Sequence, residues 1–244
     1  MSPLLFLHGV GGGSAAWARQ LPYFAARGYR ARAWDQPGYG GTAPVEPYDL
    51  AQVTAALGRS IGDEPAVLVG HSMGGFIALE AYARFPDRIR ALGLCFTSAA
   101  FGGGSGEFAR QFIAARIAPL DAGKSMAEIA ARLMPAMRGS RSDPEGLAHA
   151  ERVMAAVPPD TYRKAVHLLT TFDRREQLAG IRVPTLLLAG GDDRVAPAAV
   201  MERMARRIPG AEFVLLEGCG HLGPMDQPGP FNEALAAFLE RHKL

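Results

Sequence analysis

The sequence predicts an α/β fold built on a doubly wound, mostly parallel sheet of about six strands. The chain has 244 residues, of which 48% are hydrophobic and 20% charged, which is enough apolar material for a core and excludes a disordered chain. Short apolar runs alternate with amphipathic helical stretches, and Gly, Pro or Asp residues bound each run. The predicted strands are Leu4–Leu7, Arg30–Trp34, Ala66–Gly70, Ala91–Phe96, Thr185–Ala189 and Glu212–Leu216.

Helical patterns connect these strands. The apolar residues between Leu50 and Ile61 recur at spacings of 3, 4 and 4, which is typical of one buried helix face. A second helical stretch, Phe76–Phe85, follows the third strand and is ended by Pro86. A last pattern begins at Phe231, after a Pro-Gly-Pro sequence. Strand–helix–strand alternation of this kind predicts helices on both faces of the sheet.

Residues 98–180 break the alternation, because they contain helical patterns and no convincing strand. We therefore predict an all-helical insertion between two strands of the sheet. The glycines at 102–104 and 106 predict a pliable hinge at its start, and Pro184 a stiff return to the sheet. The predicted helices of the insertion are Glu107–Ile117, Met126–Met137, Glu145–Val157 and Asp160–Phe172.

Charge and composition exclude several function classes. Lys and Arg number 26 against 24 Asp and Glu, a net charge of +2, and no dense basic block suggests a nucleic-acid partner. No apolar stretch approaches the roughly 18 residues of a membrane span. Cys95 and Cys219 cannot form a disulfide framework, and no signal peptide precedes the first strand, so we expect a cytoplasmic protein. Metal-ligand spacings are missing, so no cofactor is expected, and the sequence leaves monomer and homodimer open.

The strongest functional signal is the segment Gly70–Gly75, which reads Gly-His-Ser-Met-Gly-Gly between a predicted strand and a predicted helix. A serine in such a sharp turn needs small residues two positions before and after it, and Gly70 and Gly74 stand there. The turn presents the Ser72 hydroxyl at the positive end of the following helix. We therefore predict that Ser72 is a nucleophile.

A serine hydroxyl needs an adjacent base, and six histidines compete for that role. His221 lies in a glycine-rich loop directly after the last predicted strand, where it can reach across the carboxyl edge of the sheet. His71 adjoins the serine, but its side chain is expected to point away from the hydroxyl. His8 is expected to make a structural hydrogen bond. The other three histidines, in the insertion or near the C-terminus, are His149, His167 and His242.

The base needs a carboxylate that fixes its tautomer and stabilises its cation. Asp192 and Asp193 follow the strand Thr185–Ala189, and we favour Asp193, with Asp192 holding the turn. Asp226 could instead organise the loop of His221. The end of the strand Ala91–Phe96, another place from which an acid could serve, offers no carboxylate. The predicted order along the chain is therefore Ser72, Asp193, His221.

The same chemistry needs a pair of N–H donors for the oxyanion of a tetrahedral intermediate. The backbone N–H of Met73 is one candidate, because Met73 follows the nucleophile. The glycine-rich turn after the first strand lets the backbone approach a substrate closely and offers the other. We predict the N–H of Val10, with that of Gly11 as the reserve.

Four signatures in this order resemble the α/β-hydrolase family: His8-Gly9 after a strand, the motif Asp35–Gly40, the turn at Ser72, and the pair Asp193 and His221. The resemblance implies the α/β-hydrolase fold, with a core of residues 1–97 and 181–244 and a helical cap of residues 98–180. Members usually have an antiparallel hairpin before the His-Gly strand, and this sequence begins at that strand. The strand Arg30–Trp34 is therefore expected at a sheet edge.

The motifs look similar to those of 3-oxoadipate enol-lactonases and related carboxylesterases. The resemblance implies cofactor-free acyl transfer to water, with a small-molecule ester or lactone as substrate. Three alternatives stay open. They are a carbon–carbon bond hydrolase of ring-cleavage products, a perhydrolase side activity, and a non-catalytic ligand receptor on the same fold.

The cap is expected to act as a mobile lid whose apolar faces look down on the nucleophile. Residues expected there are Phe112, Ile113, Met134 and Met137. If the substrate is anionic, a cation must face inward too, and the candidates are Arg116, Arg138 and Arg141. The residues predicted to bind substrate are Gly11, Phe112, Met137 and Arg138.

Overall fold

Six short runs form one sheet in a computed structural model that describes residues 2–101 and 106–244. The order of the strands is β2-β1-β3-β4-β5-β6, and every neighbouring pair is parallel. The predicted doubly wound parallel sheet is confirmed. The strands are β1 (Pro3–Leu7), β2 (Arg30–Trp34), β3 (Ala66–His71), β4 (Ile89–Cys95), β5 (Thr185–Gly190) and β6 (Glu212–Leu216).

Burial explains why the strands read as apolar runs. Every side chain of β1, β3 and β5 is buried, because helices cover both faces of the sheet at these strands. The two outer strands, β2 and β6, are only partly buried. Strand β2 is an edge strand, as predicted, and Arg30 and Arg32 are exposed along it. Charged side chains of this kind keep an edge from pairing with another chain.

Helices connect the strands on both sides of the sheet. The chain crosses the sheet in one direction from β1 to β2 and in the other from β2 to β6, so right-handed connections place the first two helices on opposite faces. The helices of the core are α1 (Gln20–Ala25), α2 (Leu50–Ile61), α3 (Met73–Arg84), α8 (Ala198–Ala205), α9 (Gly223–Asp226) and α10 (Pro228–Arg241). No helix among the described residues is both long and apolar enough to cross a membrane.

The segment between β4 and β5 is helical, as predicted. Its helices are α4 (Gly106–Asp121), α5 (Met126–Met137), α6 (Pro144–Ala155) and α7 (Pro159–Leu169). Local sequence fixes where α5 and α6 begin: Ser125 and Glu128 form a capping box, and Asp143 accepts hydrogen bonds from the first turn of α6. Most of the predicted glycine hinge falls on residues 102–105, which lie outside the described residues.

The two ends of this insertion are joined by a short antiparallel contact, which we call the clasp (residues 99–101 and 172–174). The N–H of Phe101 donates to the carbonyl of Phe172 at 3.0 Å, and the N–H of Arg174 donates to the carbonyl of Ala99 at 2.7 Å. The ring of Phe172 stacks on that of Phe76 in α3, with centroids 4.1 Å apart. The buried carboxylate of Glu80 in α3 accepts from Arg174 at 2.6 Å. The insertion is therefore anchored to the helix that follows Ser72.

Candidate active site

The candidate site lies where the direction of the chain across the sheet reverses. Strands β1 and β3 are neighbours, but the connections that follow them lead in opposite directions. A crevice forms at such a switch point, outside the carboxyl ends of the strands, and it is the usual ligand site of an open α/β sheet. The turn Gly9–Gly12 after β1 and Ser72 after β3 both line this crevice.

Ser72 has a backbone conformation that explains the glycines around it. Its φ of 53° lies in the left-handed region, which is rare for a residue with a side chain. A Cβ on Gly70 would lie 2.3 Å from the carbonyl oxygen of Gly74, and a Cβ on Gly74 would lie 2.1 Å from that of Leu7. The requirement for small residues on both sides of the serine is thus a steric one. The turn leaves Ser72 at the N-terminus of α3.

Three of the predicted residues meet in one hydrogen-bonded chain. The Oγ of Ser72 lies 3.1 Å from the Nε2 of His221, and the Nδ1 of His221 lies 2.8 Å from an Oδ2 of Asp193. An ionised carboxylate can only accept, so Nδ1 carries the proton and Nε2 is free to accept from the serine hydroxyl. The arrangement can therefore take a proton from Ser72.

Asp193 is 5% exposed, yet it remains ionised. Burial on its own would raise its pKa, but His221 and the N–H groups of Ala196 and Val195 outweigh burial and lower it. The two N–H groups donate to Oδ1 at 2.9 and 2.7 Å, which leaves Oδ2 for the imidazole. Asp192 points elsewhere, since its carboxylate accepts from the N–H of Ser140 at 2.7 Å. The hydroxyl and N–H of Ser140 lower the pKa of Asp192.

The two predicted oxyanion donors lie at either side of the serine. Met73 begins α3, and Val10 lines the crevice together with Gly11. Within the part of the chain that the structure describes, the N–H groups of Met73 and Val10 have no hydrogen-bond acceptor. Unpaired donors next to a nucleophile suit a negatively charged oxygen.

Hydrogen bonds of His8 fix the turn that carries Val10. The N–H of Gln36 donates to Nε2 of His8 at 3.2 Å, so the proton lies on Nδ1, 2.8 Å from the carbonyl of Gly9. Burial lowers the pKa of His8 to about 4, so the ring is neutral at pH 7. The hydroxyl of Tyr39 donates to the carbonyl of Val10 at 2.9 Å. His8 thus makes the structural hydrogen bond expected of it.

His71 has a contact that the sequence analysis missed. Its Nε2 lies 2.7 Å from the backbone carbonyl of His221, and its side chain is 6% exposed. Burial, followed by the neighbouring His221, lowers the pKa of His71 to about 3, so the neutral ring donates to that carbonyl. A residue adjoining the nucleophile therefore helps to fix the backbone of the candidate base. Only the distance in space, and no spacing in the sequence, shows this contact.

A second strained residue follows β4. Phe96 has a φ of 49° and is fully buried, and its ring meets that of His71 edge-on at 5.8 Å. A Cβ on Gly223 would lie 2.1 Å from the ring of Phe96, so this ring defines the path of the loop that bears His221. The next residue, Thr97, donates from its hydroxyl to the carbonyl of Ser72 at 2.8 Å. Strained residues often occur at functional sites, although sequence patterns do not reveal them.

The loop of His221 is also held by the insertion. We call residues 137–143, from the last residue of α5 to the start of α6, the strap, and residues 218–226 the histidine loop. The N–H of His221 itself donates to the carbonyl of Met137 at 2.8 Å. Ser142 donates from its hydroxyl to the buried carboxylate of Asp226, whose pKa burial raises. Two further backbone bonds join Arg141 N to Gly218 O at 2.9 Å and Asp143 N to Asp226 O at 3.1 Å. Asp226 therefore organises the histidine loop, as the sequence analysis allowed.

A mostly apolar cavity lies over Ser72, with about 980 Å³ of empty space when its open mouth is included. Mostly apolar walls with a few polar groups are typical of a binding site for a small organic molecule. Its walls come from the core and from the insertion, and they include the predicted residues Gly11, Phe112, Met134 and Met137. Ile113 packs against the core beside them and does not line the cavity.

The three arginines suggested as inward-facing cations differ in position. Arg116 lines the cavity and is half-buried. Arg138 and Arg141 are exposed and do not line it. The sequence analysis named Arg138 as a substrate-binding residue, and the structure corrects that assignment. Arg138 is the second residue of the strap and directly follows α5, so its backbone turns toward the histidine loop while its side chain faces solvent.

Comparison with known proteins identifies the family. The alpha/beta hydrolase family matches residues 4–234 of this chain. This chain belongs to that family. A Pseudomonas syringae protein named as a carbamate hydrolase, RutD, is 32% identical over 97% of this chain and 93% of its own length. The hydrolase family match and this relative identify the chain as a hydrolase.

Solved structures of two other proteins agree with this assignment. A thermophilic esterase from Thermogutta terrifontis superposes with a TM-score of 0.87 at 27% identity, covering 99% of this chain and 90% of the esterase. The enol-lactonase from Burkholderia xenovorans superposes with a TM-score of 0.85 at 25% identity, covering 98% of this chain and 92% of the enol-lactonase. The predicted resemblance to the α/β-hydrolase family is confirmed.

Proposed function

We propose that this hydrolase cleaves a carboxylic ester or lactone of a small molecule through an acyl-enzyme on Ser72. The observation that carries the proposal is the hydrogen-bonded chain from Ser72 through His221 to Asp193, with donor–acceptor distances of 3.1 and 2.8 Å. Distances in this range are those expected of a nucleophile and its base. The esterase and enol-lactonase neighbours support the same reaction type.

In the first half of the reaction, the Oγ of Ser72 attacks the carbonyl carbon while His221 takes the hydroxyl proton on Nε2. The carbonyl oxygen becomes an oxyanion that accepts from the N–H groups of Met73 and Val10. His221 then delivers its proton to the leaving oxygen as the carbon–oxygen bond breaks. While the imidazole of His221 carries both protons and is positively charged, the carboxylate of Asp193 stabilises it.

In the second half, water enters where the leaving group departed and gives a proton to Nε2 of His221. The resulting hydroxide attacks the acyl-enzyme, and the same two N–H groups hold the second oxyanion. The tetrahedral species collapses, Ser72 regains its proton from His221, and the acid product leaves. No net proton remains on the protein.

The insertion serves in this proposal as the cap of the site. Residues 98–180 supply the cavity walls opposite Ser72, whereas residues 1–97 and 181–244 supply the reacting groups. A wall that excludes water strengthens the hydrogen bonds to an oxyanion. The clasp restricts motion of the cap near its two ends, so opening of the cavity is expected to involve the helices farther from the clasp.

The decisive test is Ser72→Ala, assayed with p-nitrophenyl acetate. Turnover is expected to fall by more than about 10⁴-fold, because the acyl-enzyme cannot form. The thermal midpoint should stay within a few degrees, since alanine removes only an oxygen. Ser60→Ala is the matched control: its hydroxyl donates to the carbonyl of Ala56 within α2, and Ser60 does not line the cavity, so full activity is expected. An active Ser72→Ala protein would overturn the proposal.

Carbamate hydrolysis is the second candidate, favoured by the 32% identical relative from Pseudomonas syringae. A carbamate presents a carbonyl to the same nucleophile but carries nitrogen on the other side of it. The two candidate activities are distinguished by comparing kcat/KM for two p-nitrophenyl compounds, the acetate and the N-methylcarbamate. A larger kcat/KM for the carbamate in the wild type, lost in Ser72→Ala, would favour the second candidate.

A further inference from the structure

One wall of the cavity carries a charge that the proposed chemistry does not use. Within residues 2–101 and 106–244, Arg116 of α4 is the only Lys, Arg, Asp or Glu side chain that lines the cavity. Most of the other lining residues are apolar or glycine. A cation beside apolar walls attracts an anion more strongly than it would in bulk water, because the effective dielectric constant there is lower.

Arg116 faces inward, as its neighbours show. Its guanidinium carbon lies 5.2 Å from the centroid of the Phe112 ring, one helical turn earlier, and Phe112 also lines the cavity. Tyr162 in α7 lines the same cavity, is 1% exposed, and lies near enough to Arg116 for the guanidinium to act on its pKa. Burial raises the pKa of Tyr162, and Arg116 opposes part of that rise.

In the part of the chain that the structure describes, no carboxylate neutralises the guanidinium of Arg116. Two other arginines on the same pair of helices have carboxylate partners, since Arg110 pairs with Glu107 at 2.5 Å and Arg163 with Asp121 at 2.6 Å. Among the described residues, Arg116 has no such partner within 4.0 Å. Because Arg116 is half-buried and lacks a carboxylate partner, an anion that binds beside it supplies the missing counter-charge through charge-assisted hydrogen bonds.

We propose that the substrate carries a carboxylate at the end distant from the scissile carbonyl, bound by Arg116 and the hydroxyl of Tyr162. This inference rests on the proposed function, because it places the carbonyl at Ser72. The planar guanidinium donates two parallel hydrogen bonds to a carboxylate, and the hydroxyl of Tyr162 donates a third. The apolar walls between Arg116 and Ser72 contact the carbon chain of the substrate.

The test compares matched pairs of p-nitrophenyl esters with graded chain length. One member of each pair ends in a carboxylate, and the other ends in an alkyl group of similar size. The wild type is expected to favour the carboxylate member in kcat/KM at one or more chain lengths, and salt should reduce that preference. No preference at any length would overturn the proposal.

Variants assign the preference to the proposed residues. Arg116→Met is expected to lower kcat/KM for the favoured carboxylate ester by about 10- to 100-fold, the worth of hydrogen bonds to a charged group, with little change for its alkyl counterpart. Tyr162→Phe should cause a smaller loss for the same ester. Arg110→Met is the matched control on α4, with a largely exposed side chain, and should change neither ester. Equal losses on both esters in Arg116→Met would show a structural role and contradict the proposal.

Binding to protein carrying Ser72→Ala separates this inference from the proposed function. Calorimetry on that protein should show tighter binding of the carboxylate ester than of its alkyl counterpart, and adding Arg116→Met should remove the difference. Selective binding without turnover in the wild type would refute the acyl-enzyme proposal and keep the carboxylate site. Turnover of alkyl esters without selective binding would keep the acyl-enzyme proposal and refute the carboxylate site.

Discussion

The two sides of the cavity are built in different ways. On the core side, backbone geometry places the reacting groups: Ser72 has a left-handed conformation that adjacent glycines make possible, and Asp193 is fixed by two N–H groups of its own turn. On the insertion side, side chains of separate helices form the wall, as with Phe112 and Arg116 on α4 and Tyr162 on α7. The core side therefore tolerates little change, whereas the insertion side can change one residue at a time.

The difference separates two tasks. Reacting atoms must be held to within a fraction of an ångström, which rigid strand ends and tight turns achieve. Selectivity depends on the shape and charge of a wall, which helices adjust without moving the nucleophile. The strap is the exception, because its Met137 carbonyl accepts from the N–H of His221 and so joins the two sides.

The largest expected effect distinguishes two adjacent carboxylates. Asp193→Asn should lower kcat by about 10⁴-fold, since the amide no longer fixes the tautomer of His221 or stabilises its cation. Asp192→Asn should lose no more than a few-fold, because Asp192 contacts Ser140 of the strap and not the base. The measurement is kcat of both variants and of the wild type with the same ester. Similar losses in the two would contradict the assignment of Asp193 alone as the carboxylate that acts on His221.

A second expectation concerns stability in acid. Burial lowers the pKa of His8 to about 4 and that of His71 to about 3, so both rings stay neutral in the folded protein while the unfolded chain binds protons below pH 6.5. The free energy of unfolding should therefore fall as the pH decreases from 6.5 toward 4, by up to roughly 1.4 kcal/mol per pH unit for each histidine.

Urea unfolding across this pH range measures the slope. In His71→Gln, the side-chain amide can still donate to the carbonyl of His221 but does not titrate, so the slope should shrink by the contribution of one histidine. The difference between the two proteins isolates His71 from every other titrating group. An unchanged slope would show that His71 is already protonated in the folded protein at these pH values.

The smallest expected effect tests the strap. Ser142→Ala removes the hydroxyl that donates to the buried carboxylate of Asp226 and accepts from the N–H of Gly139 at 2.8 Å. The loss should be about 1–3 kcal/mol of unfolding free energy, since a buried acceptor is left without its partner. Ser140→Ala, whose side chain is exposed, should cost less. Equal stability of Ser142→Ala and wild type would show that the strap does not hold the histidine loop through this bond.

Sequence patterns predicted the features that depend on residues close together in the sequence. The buried strands read as apolar runs, and the turn at Ser72 requires glycines because of backbone contacts within a few residues and with the neighbouring strand. The helices of the insertion were predictable from their periodicity, whereas the edge position of β2 was expected from the family resemblance. These features depend on contacts that short segments make through known geometry.

Contacts between distant segments were not predictable. His71 and His221 are 150 residues apart in sequence, and Ser142 and Asp226 are 84 apart, so no spacing connects either pair. The error on Arg138 has the same origin. Periodicity places an arginine on a helix face or at its end, but only packing against α7 and the core decides whether that face lines the cavity, as it does for Arg116.

The clasp makes the segment between residues 101 and 172 exchangeable. Because its two ends are hydrogen-bonded to each other, the chain between them is a closed loop whose free energy depends weakly on length, with each doubling costing about 0.6 kcal/mol. A transplanted set of helices would inherit the sheet and its reacting groups unchanged. It would have to replace the hydrogen bonds between the strap and the histidine loop, including the acceptor that the Met137 carbonyl offers to the N–H of His221.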